Sequence, residues 1–261
     1  MDSVRSADGT VLSVHTSGHG PALLLVHGTS ADHTRWSGVA PELEKRFSVF
    51  YMDRRGRGDS GDGPSYHVMR EAEDVASVVE AIGQPVRILG HSYGALCAME
   101  AALLTDEIAR MVLYEPPIPT GVTMYADGVP DRMQGLLDAG EPERALEVFF
   151  REVVRMPEEE LDAYRRLPMW QQRIKLAPTI PREMAIDRTY VFEPEKFAGL
   201  DIPVGLYLGG DSPELFRSAV ATAEAALPNA TIVVLPGQQH VAMDTDPDLF
   251  LREVFRFLLD G

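Results

Sequence analysis

Short apolar runs bounded by glycine or proline recur along the chain and alternate with amphipathic segments. These runs lie at 22–26, 47–52, 86–89, 110–114, 204–208 and 231–235. They are too short for helices, and continuous apolar runs are typical of strands that are buried on both faces of a parallel sheet. The pattern therefore predicts an α/β fold with a mostly parallel central sheet, flanking helices and right-handed crossovers.

Turn and helix signals support this architecture. Alternating runs at 3–6 and 10–16 flank Asp8-Gly9 and predict an antiparallel hairpin at the start. A stripe from Val68 to Ile82 at helical spacing predicts a helix that ends at Gly83. Similar stripes predict helices at 95–104, 215–226 and 249–259.

One long segment departs from the alternation. Between Pro116 and Lys196 no strand pattern is convincing, and prolines divide the segment into amphipathic helical pieces. We expect a helical cap inserted after the sixth strand. The predicted division is 1–116 for the first part of the core, 117–195 for the cap and 196–261 for the second part of the core.

Composition excludes several classes of function. The chain has 261 residues with 24 Lys+Arg against 40 Asp+Glu, a net charge of -16, which disfavours nucleic acid as a partner. No apolar run reaches the roughly 18 residues of a membrane span, and the first residues lack a signal-peptide pattern. We therefore expect a cytoplasmic protein, monomeric or homodimeric, that acts on a small molecule without membrane contact. Cys97 is the single cysteine, and we expect neither a metal nor a cofactor.

Gly90-His91-Ser92-Tyr93-Gly94 is a G-x-S-x-G sequence between a predicted strand and a predicted helix. A serine on so tight a turn needs small neighbours, which the two glycines supply. Its hydroxyl would be exposed at a helix N-terminus, as a nucleophile requires. The alternative is a serine that only caps the helix.

A serine nucleophile needs a base, and His240 is the best candidate among the seven histidines. It follows the last predicted strand, where loops converge above the sheet. The third residue would be a carboxylate that orients the imidazole. Asp211, after Gly209-Gly210, is preferred, and Glu115 at the end of the preceding strand is the alternative; both give the chain order Ser, acid, His.

The oxyanion formed in such a reaction needs two donors. Gly28 allows the chain to turn after strand 22–26, so the backbone amide of Thr29 could face that of Tyr93. Met124, Trp170 and Val241 are candidate substrate-pocket residues, with packing as the alternative for the cap side chains. The loop from Asp53 to Ser60 lacks a phosphate-binding motif and is interpreted as an Asp and Arg network that supports the site.

The sequence resembles the α/β hydrolase superfamily, in the branch of serine hydrolases with a helical cap. The resemblance rests on Leu24-Leu25-Val26-His27-Gly28, the Asp53–Ser60 loop, Gly90 to Gly94, Gly209-Gly210-Asp211 and Gln239-His240. It implies Ser92 as nucleophile, His240 as base, Asp211 as acid, and Thr29 and Tyr93 as oxyanion hole. The expected activity is hydrolysis of an ester or lactone of a small to medium hydrophobic molecule. Thioester or carbon-carbon bond hydrolysis, acyl transfer or cyclisation, and a non-enzymatic ligand receptor stay open.

Overall fold

An eight-stranded sheet forms the centre of the computed structural model, which describes residues 2–63, 65–122, 125–167 and 169–259. The strands run in the order β1-β2-β4-β3-β5-β6-β7-β8, with β1 and β2 antiparallel and the others parallel. Their bounds are β1 Ser3–Arg5, β2 Val11–Gly18, β3 Ala22–Val26, β4 Ser48–Met52, β5 Val86–His91, β6 Ile108–Tyr114, β7 Val204–Gly209 and β8 Ala230–Leu235. The predicted mostly parallel sheet is therefore confirmed.

Helices cover both faces of this sheet. They are α1 Ala40–Glu44, α2 Val68–Ile82, α3 Tyr93–Ala101, α10 Glu214–Ala226, α11 Ala242–Thr245 and α12 Pro247–Leu259. Gly83, at a φ of 69°, ends α2 in the left-handed conformation that glycine adopts without strain. The longer helices agree with the apolar stripes, although α3 begins and ends earlier than its stripe predicts.

The continuous apolar runs are explained by two cores, one on each side of the sheet. In β3, Leu24 and Val26 pack into the core that includes α2, α3 and α10, while Leu23 and Leu25 pack into the core that includes α1 and α12. Successive side chains of a strand point to opposite faces, so a strand covered on both faces needs apolar residues at every position.

Residues 117–195, here called the helical insertion, connect β6 to β7. The helices in this range are α4 Val129–Asp138, α5 Pro142–Val148, α6 Glu158–Tyr164, α7 Met169–Leu176, α8 Ile180–Met184 and α9 Ile186–Thr189. A π-helical turn, Phe149–Val153, follows α5, and the described part of the range contains no strand.

The helical insertion has a small apolar core of its own. Met133, Leu146, Phe150 and Trp170 pack together in it. Ile186 instead packs into the core of the sheet that includes α2, α3 and α10. The division of the chain into domains at residues 117 and 195 stays a prediction. Among the described residues, no helix is long and apolar enough to cross a membrane.

Candidate active site

Ser92 occupies the sharp turn between β5 and α3. Its φ of 53° and ψ of -125° are unusual for a residue with a side chain, so the backbone is strained at this position. Ser92 is the N-cap residue of α3, yet its hydroxyl makes no capping hydrogen bond. The alternative interpretation, a serine that only caps the helix, is therefore not supported.

The neighbouring glycines are required by close backbone approach. A Cβ atom on Gly94 would lie 2.3 Å from the carbonyl oxygen of His27, and one on Gly90 would lie 2.7 Å from Cα of Ala95. Gly28 is tight as well, since a Cβ there would come 3.0 Å from Cβ of Ser92. The spacing of small residues thus brings the end of β3 directly against the serine turn.

The two predicted oxyanion donors, the backbone amides of Thr29 and Tyr93, belong to residues that lie near Ser92. Tyr93 is the first residue of α3, and amides in the first turn of a helix have no intrahelical acceptor. Thr29 follows Gly28 and lines the same cavity as Ser92 and Tyr93. Their assignment as an oxyanion hole stays a prediction.

The helical insertion holds the loop that carries Thr29. From α7, Arg173 Nη1 donates to the backbone carbonyl of Ser30 and, at 2.9 Å, to its hydroxyl. Gln172 donates to the carboxylate of Asp32 in the same loop. Neither contact was anticipated from sequence, because it joins residues more than a hundred positions apart.

Glu115 is the carboxylate partner of His240. Its Oε2 lies 2.5 Å from His240 Nδ1, and the Glu115 side chain is fully buried. The other oxygen, Oε1, accepts from the Gly209 amide at 2.8 Å and from the Ser212 hydroxyl at 2.5 Å. A fixed carboxylate at Nδ1 leaves Nε2 as the imidazole nitrogen available to the cavity.

Aromatic contacts fix the plane of the His240 ring. Phe216 of α10 stacks on it with ring centroids 4.2 Å apart and an interplanar angle of 10°. His91 lies 4.6 Å away by centroid, and its Nε2 is 2.8 Å from the backbone carbonyl of His240. Burial and the neighbouring His240 keep the pKa of His91 well below its usual value, so His91 is a neutral donor to that carbonyl.

Asp211, the acid that the sequence analysis prefers, is not the carboxylate in contact with His240; that contact belongs to Glu115. Asp211 has an exposed side chain, and its backbone amide donates to the Gln238 carbonyl at 2.9 Å. Glu115, one methylene longer and placed at the end of β6, reaches His240 instead. Chain order could not separate the two, since both carboxylates lie between Ser92 and His240.

Ser92 and His240 line one cavity of about 820 Å³ between the sheet and the helical insertion. Its walls are largely apolar and come from both parts of the protein, including Ile118, Val122, Phe149, Val153, Met184, Ile186 and Phe216. Cavities of this size with largely apolar walls are typical small-molecule sites in proteins.

The three predicted pocket residues have different positions. Val241 lines the cavity next to His240. Trp170 does not fulfil the expectation: it is buried in the core of the helical insertion, and its Nε1 donates to Glu143 at 2.7 Å. Met124 lies outside the described residues.

A buried ion network lies below the cavity, as predicted for the Asp53–Ser60 loop. Arg54 pairs with Glu71 through two bonds of 2.6 and 2.8 Å, and both Arg54 and Arg57 donate to Glu183 of α8. Burial opposes ionisation of Glu71, but the two guanidinium groups prevail and hold its pKa well below the usual range. The Arg54 guanidinium also lies 4.9 Å from the Tyr93 ring centroid.

Glu183 connects this network to the cavity. The residue lines the cavity, and its Oε2 is buried with no hydrogen-bond partner among the described residues. Sequence reasoning missed Glu183, because nothing in the local pattern of α8 distinguishes it from the other acidic residues of the insertion.

Comparisons with known proteins agree with this fold. The family model described as "Alpha/beta hydrolase family" matches residues 23–253. The chain belongs to the α/β hydrolase family. The fold class predicted from the sequence is thereby confirmed.

Individual relatives of this α/β hydrolase extend over nearly the whole chain. A solved α/β hydrolase from Sphaerobacter thermophilus is 32% identical, with a TM-score of 0.84 over 98% of this chain and 99% of its own. The esterase RhEst1 from a Rhodococcus species is 28% identical, with a TM-score of 0.77 over 98% of both chains. The 2-(acetamidomethylene)succinate hydrolase of Mesorhizobium japonicum is 25% identical over 95% of this chain and 91% of its own. These relatives support hydrolytic activity.

Proposed function

We propose that this α/β hydrolase is a serine hydrolase that cleaves carboxylic ester or lactone bonds of small to medium hydrophobic molecules. The observation that carries the proposal is the His240–Glu115 pair, 2.5 Å apart, in the wall of the cavity that Ser92 also lines. A histidine with a buried carboxylate on Nδ1 is the base that a serine nucleophile needs.

The acylation half of the reaction uses these residues in fixed roles. Nε2 of His240 takes the hydroxyl proton of Ser92 as Oγ bonds to the substrate carbonyl carbon. The oxyanion accepts hydrogen bonds from the amides of Thr29 and Tyr93, and Glu115 stabilises the imidazolium. When the carbon-oxygen bond breaks, His240 returns the proton to the departing alkoxide.

Deacylation repeats the sequence with water. His240 takes a proton from water as its oxygen attacks the acyl carbon, and the second tetrahedral species collapses to release the acid. The proton then returns to Oγ, which restores Ser92.

The similarity to an esterase supports the choice of bond. A second candidate, hydrolysis of an amide bond, is favoured by one specific observation: a relative that matches along most of its length is named for a substrate with an acetamido group. Hydrolysis of thioesters or carbon-carbon bonds, and acyl transfer, would use the same residues.

A fluorophosphonate probe and a panel of p-nitrophenyl esters of increasing acyl length, each with the matching p-nitroanilide, test the proposal. We expect stoichiometric labelling of Ser92 and turnover of at least one ester, with both lost in Ser92→Ala. Ser77→Ala is the matched control, since Ser77 lies in α2 and its hydroxyl only donates to the Glu73 carbonyl at 2.8 Å.

Three outcomes would contradict the proposal. Labelling that persists in Ser92→Ala would assign the nucleophile elsewhere. Labelling with turnover of anilides but not of esters would favour the amide reaction. Thermal stabilisation by apolar ligands with neither labelling nor turnover would indicate a ligand receptor.

A further inference from the structure

Two histidines and two aspartates meet at a site separate from Ser92. We call this group the edge cluster: His15 of β2, His33 in the 3-10 turn after β3, Asp53 at the end of β4, and Asp59 in the following loop. In the sheet order, β4 and β3 lie between β2 and the strand β5 that precedes Ser92. The four residues of the edge cluster do not line the cavity, and the proposed hydrolysis gives none of them a role in proton transfer.

The side chains of the edge cluster present their ring nitrogens and carboxylate oxygens to one another. His33 Nδ1 lies 3.0 Å from Asp53 Oδ2, and His15 Nε2 lies 3.4 Å from the same oxygen. Asp59 Oδ2 is 3.7 Å from His15 Nε2. The two imidazole rings lie 3.9 Å apart by centroid at an angle of 34°.

Three of these separations, those between His33 and Asp53, His15 and Asp53, and His15 and Asp59, are close to the edge length of a tetrahedral metal site. Ligand atoms bound at about 2.0–2.1 Å from a tetrahedral Zn²⁺ lie about 3.3 Å from one another. The contacts of the edge cluster run from 2.8 to 3.7 Å and so bracket that value. One ligand atom from each of His15, His33 and Asp53 lies within 4.8 Å of both others.

The donor set and the degree of exposure also suit a transition-metal ion. Two imidazoles with one or two carboxylates form a set that Zn²⁺ accepts, whereas Mg²⁺ and Ca²⁺ prefer oxygen ligands alone. Asp53 is fully buried, and backbone amides of His33 and Asp59 donate to its carboxylate at 2.8 and 3.0 Å, so its position is fixed. The side chain of His15 is 41% exposed and that of Asp59 75%, which leaves an entry path.

We propose that the edge cluster is a Zn²⁺-binding site. The ion replaces the proton that His33 shares with Asp53 and draws the nitrogen of His15 and the oxygen of Asp59 inward by a few tenths of an ångström. Bound Zn²⁺ links β2, the turn after β3 and the loop after β4, which are remote in sequence. Because it binds the folded chain, it raises the free energy of unfolding.

Titration calorimetry and thermal unfolding with ZnCl₂ test the proposal on the full chain after removal of any affinity tag. We expect one equivalent of Zn²⁺ to bind the wild type and to raise Tm. His15→Gln and His33→Gln each lower the affinity at least tenfold and abolish the rise in Tm. The exposed residue His19 provides the matched control, His19→Gln, which binds as the wild type does.

Two further variants keep the test decisive. Asp59→Asn should weaken Zn²⁺ binding, and because its side chain is 75% accessible, it reports on binding even where a histidine variant fails to fold. His240→Gln removes the other histidine-carboxylate pair and should retain the full stoichiometry. The proposal is overturned by a folded wild type that binds no stoichiometric Zn²⁺, or by loss of binding in His240→Gln rather than in the edge-cluster variants.

Discussion

Glu115 and His240 share a contact of 2.5 Å although 125 positions separate them in the chain. The pair forms because β6 ends beside the loop that follows β8. The last residue of β7, Gly209, and Ser212 in the turn after it supply the two donors that hold the carboxylate. The backbone of Glu115 has a φ of 50°, so this residue, like Ser92, adopts a conformation that costs free energy.

Replacing each candidate acid in turn by its neutral amide gives the most direct test of this pairing. We expect Glu115→Gln to lower kcat/KM for esters by about 10³ to 10⁴-fold, because the neutral amide no longer stabilises the imidazolium. Asp211→Asn should stay close to the wild type, since its side chain is exposed. Steady-state kinetics of both variants decide, and a larger loss in Asp211→Asn would return the acid to the turn after β7.

The packing around the serine turn leads to a prediction about stability. A methyl group at residue 94 would collide with the backbone of β3, which cannot yield as a side chain can. Gly94→Ala should therefore lose stability at the upper end of the range of about 1–3 kcal/mol that overpacking costs. Denaturant unfolding measures the change.

Gly135→Ala is the control for that substitution. Residue 135 lies within α4, and the described atoms leave open space within 4 Å of a Cβ there. Alanine should stabilise the helix by about 0.5–1 kcal/mol. Equal effects of the two substitutions would mean that close approach at residue 94 is not what requires glycine.

The ion pairs between Glu183 and the core arginines should stabilise the contact between the helical insertion and the sheet. Glu183→Gln leaves the two buried guanidinium groups with one carboxylate, and breaking a buried pair typically costs about 3–5 kcal/mol. We expect a marked fall in Tm together with a lower kcat/KM, since residue 183 also lines the cavity.

An exposed pair in the same insertion provides the comparison. The side chains of Arg132 and Glu152 are 51% and 41% accessible, and exposed pairs contribute only about 0–1 kcal/mol. Glu152→Gln should therefore leave Tm and activity nearly unchanged. If Glu183→Gln behaved in the same way, burial of the network would have no energetic consequence.

Buried neutral histidines predict the response of stability to acid. Burial lowers the pKa of both His27 and His91 well below 6.5. Below pH 6.5 the unfolded chain therefore binds protons that the folded chain does not, and the free energy of unfolding falls by about 1.4 kcal/mol per pH unit for each histidine. Above that pH this contribution is fully present.

Urea unfolding between pH 5 and 7.5 checks this slope. His91→Gln should reduce the slope of unfolding free energy against pH by about 1.4 kcal/mol per pH unit, the contribution of one histidine. His19→Gln, at an exposed position, should not change the slope. A wild-type stability that is constant between pH 6.5 and 5 would contradict the assignment of both residues as neutral in the folded chain.

Local pattern was enough to predict the sheet, the longer helices and the serine turn. Their signals lie within short windows: apolar runs for buried strands, Val68 to Ile82 for α2, and two glycines around Ser92. The strand before Ser92 and the helix after it are confirmed, because the same residues that form these elements also determine the turn.

Contacts between segments that are distant in the chain could not be predicted from the sequence. The choice between Glu115 and Asp211 depends on which carboxylate reaches His240 in space, and chain order is the same for both. Phe216 stacks on His240 from α10, and its apolar spacing indicates only a buried helix face. Trp170 illustrates the reverse case, since a large apolar side chain in the insertion can equally pack inside it.

The position of the acid on β6 has a consequence for the engineering of specificity. Asp211, Pro213 and Glu214 line the cavity, and the proposed mechanism assigns none of them a role in proton transfer. A combinatorial library at these three positions would change the lining of the cavity and leave Ser92, His240 and Glu115 in place. Variants selected from it could accept new acyl groups. Ser212 is the residue of that turn to keep fixed, since its hydroxyl supports Glu115.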